Sequence, residues 1–168
     1  RTKIAEDLFV AMKQFGGIGL SANQVGLPYR MFVMGGHKDM EDGKARACWN
    51  PEIIEFSEET ILLSEGCLTY PLLFLQVSRP KTCKVKYTDN DGKEHIEDLD
   101  HMPSRVFQHE FDHMNGTDFT KLVSKFKLDR AKEKVRKIYE QEKKLAPKTI
   151  QLAKKIKKEI DEKKTGVI

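Results

Sequence analysis

The segment from Pro103 to Gly116 constrains the fold more than any other part of the chain. Proline suits the first turn of a helix and glycine the position after its last turn, so the segment predicts a helix over 104–115. Helical spacing gives it distinct faces. The polar stripe comprises Arg105, Gln108, Asp112 and Asn115, and the apolar stripe comprises Phe107, Phe111 and Met114. We expect this helix to be buried.

The remaining side of the helix carries His109, Glu110 and His113 in an HExxH pattern. Two imidazoles four residues apart lie one turn above the other, so both can reach one metal ion. The adjacent glutamate can hold a water at the open position of that metal and act as its base. Buried histidines and a buried carboxylate need partners that offset their desolvation, and a metal is one. The alternative is an unbound, structural pair, because five-residue patterns also occur by accident.

A hydrolytic site of this kind needs a third protein ligand and one open position. Cys67 offers a thiolate at the end of a predicted strand, beside a flexible glycine. Thiolates favour transition metals over magnesium or calcium. Taken alone, Cys67 has the alternative of an inert buried thiol, which is what we predict for Cys48 and Cys83. The downstream carboxylates Asp118 and Glu133 have no matching sequence context.

A glycine-rich loop over 17–26 contains Gln24. It lacks the Lys-Ser/Thr of a phosphate-binding loop and the spacing of a dinucleotide-binding turn. A neutral carboxamide after a tight loop is better suited to donate a hydrogen bond to a developing oxyanion. The glycines also allow a peptide backbone to come close.

The rest of the chain predicts an α+β fold, because several short strands precede helices without regular βαβ alternation. Apolar spacing predicts an amphipathic helix over Thr2–Gln14, with Thr2 as its cap, and Asn50-Pro51 predicts a turn. Strands are predicted over Tyr29–Met34, Thr60–Leu63, Pro71–Val77, Thr82–Thr88 and Lys93–Leu99, the last two as a hairpin. Beyond Thr120 we predict a long helix broken at Pro147, then a second basic helix over Lys148–Lys163 with Ile156 and Ile160 turned inward.

Charge divides the chain unevenly. Residues 1–120 carry 13 basic and 19 acidic side chains, whereas residues 121–168 carry 17 basic and 7 acidic ones. The length of 168 residues predicts one domain, with residues 1–120 as its catalytic part and 121–168 as a basic helical extension of the same domain.

No apolar run is long enough to cross a membrane. Three unevenly spaced cysteines argue against a disulfide framework and favour a reducing compartment.

Three motifs occur together and in order: the loop from Gly17 to Gln24, the segment Glu65-Gly66-Cys67-Leu68-Thr69, and the segment 108–116 around the HExxH pattern. In combination they resemble the three motifs of the peptide deformylase family. Asn50-Pro51 and Arg79 also lie where that family has them, so the resemblance covers about residues 4–130. It implies short, mostly antiparallel strands in small sheets around a central metal-binding helix, with a C-terminal helical tail.

The resemblance implies an activity: hydrolysis of the N-formyl group of the initiator methionine of a nascent polypeptide, with release of formate. Cys67, His109 and His113 would bind one divalent ion, Fe²⁺ in the cell, with Zn²⁺, Ni²⁺ or Co²⁺ able to substitute. Glu110 would be the acid–base residue. The Gln24 amide and the backbone N–H of Leu68 would hold the developing oxyanion.

Further expectations concern the substrate. By the same resemblance, Gly19 would pair with the peptide as with an added strand. Val106 and Ile18 would border an apolar pocket for methionine, although Val106 has plain core packing as an alternative. Glu65 and Arg79 would form a buried pair that orients the Cys67 loop, or else be two surface charges. We expect a cytoplasmic protein, or an organellar one if a targeting peptide has been removed.

Two rival interpretations stay open at this point. A zincin-like endopeptidase would cleave internal peptide bonds and would have no use for Cys67. A basic RNA-binding or ribosome-associated module with a merely structural metal would use the positively charged tail, which could meet ribosomal RNA through its phosphates. The second interpretation is compatible with deformylase activity, because deformylases act on chains that leave the ribosome.

Overall fold

The computed structural model describes residues 1–38, 40 and 42–165. Contacts divide the chain into one compact unit over Arg1–Leu128 and a second unit from Asp129 onward. The helices are α1 (Thr2–Gln14), α2 (His101–Met114) and α3 (Lys125–Thr165), with short 3-10 turns over Ala22–Val25 and Phe119–Leu122. The strands are β1 (Gly19–Ser21), β2 (Met31–Gly35), β3 (Ala45–Phe56), β4 (Thr60–Cys67), β5 (Tyr70–Pro80), β6 (Thr82–Thr88) and β7 (Glu94–Asp100).

The strands form two antiparallel sheets. The larger has five strands in the order β1-β2-β3-β6-β7, and the smaller consists of β4 and β5. The predicted hairpin is confirmed, since β6 pairs with β7 from Thr82↔Asp100 to Thr88↔Glu94. The predicted α+β class, with small antiparallel sheets and a C-terminal helix, is therefore confirmed.

The five-stranded sheet is covered on both faces. Every residue of β2 is buried, because alternate side chains enter different apolar clusters. Phe32 and Met34 pack in the cluster that contains Val106 and Phe107 of α2. Met31 and Val33 pack in the cluster that contains Leu8 and Met12 of α1. This double coverage explains why the β2 sequence is continuously apolar rather than alternating.

The structure corrects several sequence predictions near element ends. Asn50-Pro51 lies inside β3 rather than in a turn. The pairing of β3 with β6 shifts register between Trp49 and Glu52, and Asn50 adopts a positive φ of 48°, so the pair makes a bulge. Thr2 is the first residue of α1, and its N-cap is Arg1.

Helix α2 begins earlier than predicted, at His101 instead of Ser104. The Asp100 carboxylate accepts a hydrogen bond from the His101 N–H at 2.7 Å, which caps the helix before Pro103 is reached. The end of the helix agrees with the prediction, since Gly116 adopts a φ of 70° just beyond it.

Pro147 does not end a helix, which makes the predicted break wrong. Helix α3 runs through it from Lys125 to Thr165, and no separate helix starts at Lys148. Proline removes one backbone hydrogen bond, and the strong helix formers on both sides maintain the rest. The expected inward orientation of Ile156 and Ile160 concerns side chains outside those the structure describes. Among the described residues, no helix has an apolar stretch that could span a bilayer.

Candidate metal centre and active site

Helix α2 and strand β4 bring three donor atoms together. The ring centroids of His109 and His113 lie 5.0 Å apart, as expected for side chains one turn apart. Cys67 is the last residue of β4, where the pairing with β5 shifts register after Gly66. Its Sγ lies 3.3 Å from His113 Nε2. One ligand atom from each of the three residues lies within 4.8 Å of the others.

The Glu65 carboxylate orients the His109 ring. Its Oε2 lies 3.0 Å from His109 Nδ1, and because a carboxylate only accepts, Nδ1 carries the hydrogen, which in the neutral ring leaves Nε2 as the atom that can bind a ligand. Arg79 donates to both oxygens of Glu65, from Nε at 2.7 Å and Nη2 at 3.1 Å. Burial raises the pKa of Glu65, but hydrogen bonds from His109, Arg79 and Arg105 outweigh that effect and bring the pKa down to about 2. The expected buried pair of Glu65 and Arg79 is confirmed.

Arg105 is a third member of this network that we did not predict. It is buried, and its Nη1 donates to Glu65 Oε1 at 2.6 Å. The same guanidinium donates to the carbonyls of Val77 in β5 and Ile61 in β4, so it joins α2 to both strands of the smaller sheet. The usable signal was its spacing, because Arg105 precedes His109 by four residues and therefore lies on the same face. The sequence alone places it in a polar stripe and does not reveal these partners.

The Cys67 thiol is activated by its surroundings. Burial raises its pKa, but hydrogen bonding to His109 and His113 outweighs that effect and lowers the pKa to about 5. The thiolate is the form that binds metals. Cys48 and Cys83 differ, as predicted: both are buried, and burial raises the pKa of the Cys83 thiol to about 11 and that of Cys48 well above its usual value.

Glu110 is buried beside the donor atoms. Its Oε2 has no hydrogen-bond partner among the residues that the structure describes. Burial raises the pKa of Glu110, against the opposing influence of His109 and His113. Gly19 of β1 packs directly on this side chain, and a Cβ at Gly19 would clash with Glu110 Oε1 and lie 2.9 Å from Val106 Cγ1. Only glycine fits there without displacing the carboxylate.

Gln24 is held with its amide nitrogen towards the cysteine. Its Oε1 accepts from the backbone N–H of Ser21 at 2.9 Å and from the Ser21 hydroxyl at 2.8 Å. Its Nε2 therefore points the other way, 3.0 Å from Thr69 Oγ1 and 3.4 Å from Cys67 Sγ. This capping-box arrangement fixes a hydrogen-bond donor at the cavity wall.

A cavity of about 880 Å³ opens over these groups. Eight of the nine predicted site residues line it: Ile18, Gly19, Gln24, Cys67, Leu68, Val106, His109 and Glu110. The ninth, His113, contacts Cys67. Two residues that hold the histidines in place were not predicted. Asn23 donates a hydrogen bond to the backbone carbonyl of His113. The ring of Phe119 is fully buried, and its centroid lies 5.7 Å from that of the His109 ring.

The donor set fits one divalent transition metal. A thiolate and two imidazoles suit zinc or iron rather than magnesium or calcium. Glu110 Oε2, which has no hydrogen-bond partner among the described residues, lies beside the set, where it can contact a water. Asp118, a candidate ligand by type only, instead caps the turn at Phe119 and accepts a hydrogen bond from Tyr70 at 3.0 Å. The location of Cys67 beside His113 also argues against the endopeptidase interpretation.

Comparisons with known proteins agree with this geometry. A family model described as polypeptide deformylase matches residues 1–129. A peptide deformylase of Bradyrhizobium diazoefficiens is 41% identical over a 139-residue alignment that covers 80% of this chain and 80% of that protein. The crystal structure of the Ehrlichia chaffeensis peptide deformylase superposes with a TM-score of 0.74 at 39% identity over 83% of each chain. A structure of the E. chaffeensis enzyme in complex with actinonin gives a TM-score of 0.72 at 41% identity, over 80% of this chain and 81% of the other.

The fold, and a Cys-His-His cluster that could hold a metal ion beside a buried glutamate, fit the class of metal-dependent hydrolases. Within that class, the matches over most of the chain decide the family. The chain belongs to the peptide deformylase family, which removes formyl groups from the N-terminal methionine of nascent peptides, and it is an enzyme of that family.

Proposed function

We propose that this enzyme hydrolyses the N-formyl group of the initiator methionine and releases formate and a free amino terminus. The observation that supports this best is the convergence of Cys67, His109 and His113 beside Glu110, whose Oε2 has no hydrogen-bond partner among the described residues. A cavity bordered by strand edges suits a peptide end, and family membership supports the choice of reaction.

The three donors would hold one divalent ion, Fe²⁺ in the cell, with Zn²⁺, Ni²⁺ or Co²⁺ as substitutes. Such an ion supplies Lewis acidity, which lowers the pKa of water in contact with it. The chain contributes the orientation of the donors. Glu65 fixes the His109 tautomer, and Arg79 and Arg105 fix Glu65, so that the imidazole needs little rearrangement to bind.

Glu110 is proposed to move the proton. Its Oε2, which has no partner among the described residues, accepts a proton from the attacking water. The water oxygen forms a bond to the formyl carbon, and the carbon–nitrogen bond then breaks. Glu110 delivers the proton to the departing amine nitrogen, which regenerates the carboxylate. General acid–base catalysis of this kind contributes roughly 10²–10⁴-fold in rate.

The developing oxyanion is proposed to accept hydrogen bonds from two chain groups, the Gln24 Nε2 and the backbone N–H of Leu68. Support comes from Ser21, which holds the other end of the Gln24 amide and so presets its nitrogen. A preset donor costs no reorganisation during the reaction, and removal of one such donor costs roughly 10²–10³-fold in kcat in other enzymes.

The methionine side chain is proposed to enter the cavity between Val106 and Ile18, both of which line it. Gly19 offers its backbone to the peptide as an added strand. Strand β1 pairs only with β2 among the described residues, so its other edge is free for that purpose.

The positively charged C-terminal region is proposed to contact ribosomal RNA through its phosphates. Residues 121–168 carry the excess of basic side chains, and we retain residues 1–120 as the catalytic part and 121–168 as its extension. We propose the cytoplasm, or the interior of an organelle, as its location. Deletion of the residues after Leu145 should weaken ribosome binding and its salt dependence. Unchanged affinity and salt dependence would exclude this docking.

The central test is an anaerobic assay of formate release from a formyl-Met dipeptide. We expect Glu110→Gln to lower kcat by roughly 10²–10⁴-fold while it keeps its ion, as measured by metal content per chain. Cys67→Ser should instead lose the ion along with turnover. An active Cys67→Ser variant that cleaves internal peptide bonds would favour the endopeptidase interpretation.

A further inference from the structure

The exposed part of the cavity lining is largely apolar. Four exposed apolar side chains line the cavity: Phe15, Val25, Leu72 and Phe74, with exposed fractions of 69%, 47%, 44% and 65%. The carboxylates and guanidinium that also line the cavity, those of Glu65, Glu110 and Arg105, are buried. A peptide that leaves the catalytic end of the cavity therefore meets apolar surface.

Phe74 is the most specifically placed of the four. It pairs with Gly66 across the β4–β5 ladder, and its ring lies over that glycine. A Cβ at Gly66 would lie 2.6 Å from the ring, so the glycine is what allows the ring to cross β4. The ring thus reaches over the strand and borders the space beyond its free edge. Among the described residues, β4 pairs with β5 alone.

The alternation of side chains determines which substrate residue meets this ring. Along β5, Leu73, Leu75 and Val77 are buried on one face of the smaller sheet, while Phe74 is exposed on the other. Glu65, which pairs with Leu75, shares the inner face and bonds to residues of α2. A peptide strand beside β4 that directs its methionine inward to Val106 of α2 directs its next side chain outward. The outward face is that of Gly66 and Phe74.

We propose that Phe74 makes this enzyme selective for a large apolar side chain on the second residue of the formylated peptide. The inference rests on the proposed function, because it needs methionine in the inner pocket. Leu72 supports it, since it keeps a positive φ of 65° beside Phe74 at the rim. Backbone strain of this kind persists where the surroundings enforce it and is concentrated at binding sites.

The experiment compares kcat/KM for formyl-Met-Leu-Ser and formyl-Met-Ser-Ser with the metal-loaded enzyme. The side chain of leucine should favour the first peptide about tenfold in the unchanged enzyme, and the ratio should fall to about twofold in Phe74→Ala. Calorimetric binding of the products Met-Leu-Ser and Met-Ser-Ser provides a readout that needs no turnover, and the same ratio should appear in the dissociation constants.

Two controls isolate the position. Leu62→Ala removes another exposed apolar side chain from the same face of β4, remote from the cavity lining, and should keep the tenfold ratio. The peptide formyl-Met-Ser-Leu places the leucine on the third residue, which faces inward. Its kcat/KM relative to formyl-Met-Ser-Ser should be the same in Phe74→Ala as in the unchanged enzyme.

The outcomes separate this inference from the proposed function. Formate release without preference at the second residue would overturn the inference and leave the deformylase activity standing. Failure to release formate from any formyl-Met peptide would overturn the proposed function. A Phe74→Ala effect confined to the third residue would refute the assigned face. If Phe74→Ala changed the sedimentation coefficient rather than selectivity, the rim would be a contact between copies of the chain, and the inference would fail.

Discussion

Apolar side chains join the five-stranded sheet to α2, whereas buried charges make the specific links of the two-stranded sheet to the same helix. Phe107 meets Phe32 edge to face, with ring centroids 5.0 Å apart. The β4–β5 sheet also buries apolar side chains, but its ionic bonds to α2 are those of Glu65 and Arg79 with Arg105, His109 and Asp112. Apolar contacts tolerate small displacements, and ionic hydrogen bonds have preferred distances and angles.

The two kinds of contact with α2 correspond to the different roles of the two sheets. The large sheet provides stability and one wall of the cavity. The small sheet supplies Cys67, which must meet two histidines of α2 to within a few tenths of an ångström for one ion. A network that fixes β4 and His109 to the same carboxylate aligns the two sources of ligands before any ion binds.

The largest expected effect comes from the apolar side. Phe107→Ala removes a fully buried ring and should lower the free energy of unfolding by about 4 kcal/mol, as measured by urea denaturation. The affinity of the folded fraction for zinc should be unchanged, because no member of the Glu65 network is touched. A drop in zinc affinity measured by chelator competition would show that apolar packing also positions the ligands.

The next effect comes from the ionic side. Arg105→Met leaves Glu65 with less compensation and the carbonyls of Ile61 and Val77 without this donor, and we expect a loss of about 3 kcal/mol. Zinc affinity should fall as well, roughly tenfold to a hundredfold, because His109 loses its orientation. Arg105→Lys, which keeps the charge but has fewer donors, should recover part of both. Unchanged zinc affinity in Arg105→Met would contradict the assigned role.

The five-stranded sheet has its own ionic cluster, away from the metal ligands, and it provides a smaller test. Arg46 is buried and donates to Glu97 at 2.7 Å and to Asp42 at 2.6 Å. Partial burial raises the pKa of Glu97, but hydrogen bonds from Arg46 and Tyr87 outweigh it, and the pKa lies below its usual value. Asp42 likewise has a lowered pKa, because the same arginine outweighs its burial.

A lowered folded-state pKa of a carboxyl group stabilises the protein above the unfolded pKa, and that contribution is lost as the pH falls through the folded value. Arg46→Met should therefore cost about 1–2 kcal/mol at pH 7, since both carboxylates are partly exposed. The difference from the unchanged protein should shrink below about pH 4, where unfolded carboxyls take up protons. Urea denaturation at several pH values measures this, and a difference independent of pH would exclude the linkage.

The smallest effect is expected at Lys3, which pairs with Asp7 on the exposed side of α1. Exposed ion pairs contribute little, because solvent screens them and both side chains lose freedom. Lys3→Ala should leave the urea midpoint within experimental error, in contrast to Arg46→Met. A clear decrease would show that exposure alone does not determine the value of an ion pair in this chain.

Local spacing was sufficient to predict the parts of the site that lie within one element. The two histidines and Glu110 follow from the period of a helix, and the hairpin of β6 and β7 follows from alternation and a turn sequence. The addition of Cys67 depended on donor chemistry and on the family resemblance, since nothing local connects β4 to α2.

The features that were missed depend on partners distant in sequence. Arg105 looks like any polar helix residue until Glu65 and two strand carbonyls surround it. Asn50-Pro51 has the composition of a turn, but β6 pairs on either side of it and converts it to a bulge. Pro147 removes one backbone hydrogen bond, which predicts a break in the helix. The strong helix formers on both sides nevertheless keep the helix continuous.

The contact between Gly19 and the Glu110 carboxylate also bears on drug resistance. An inhibitor that binds through the main chain of residue 19 would address a position where any larger residue displaces the group that handles the proton. A substitution at residue 19 that weakened such an inhibitor would therefore also disturb the residue proposed to move the proton.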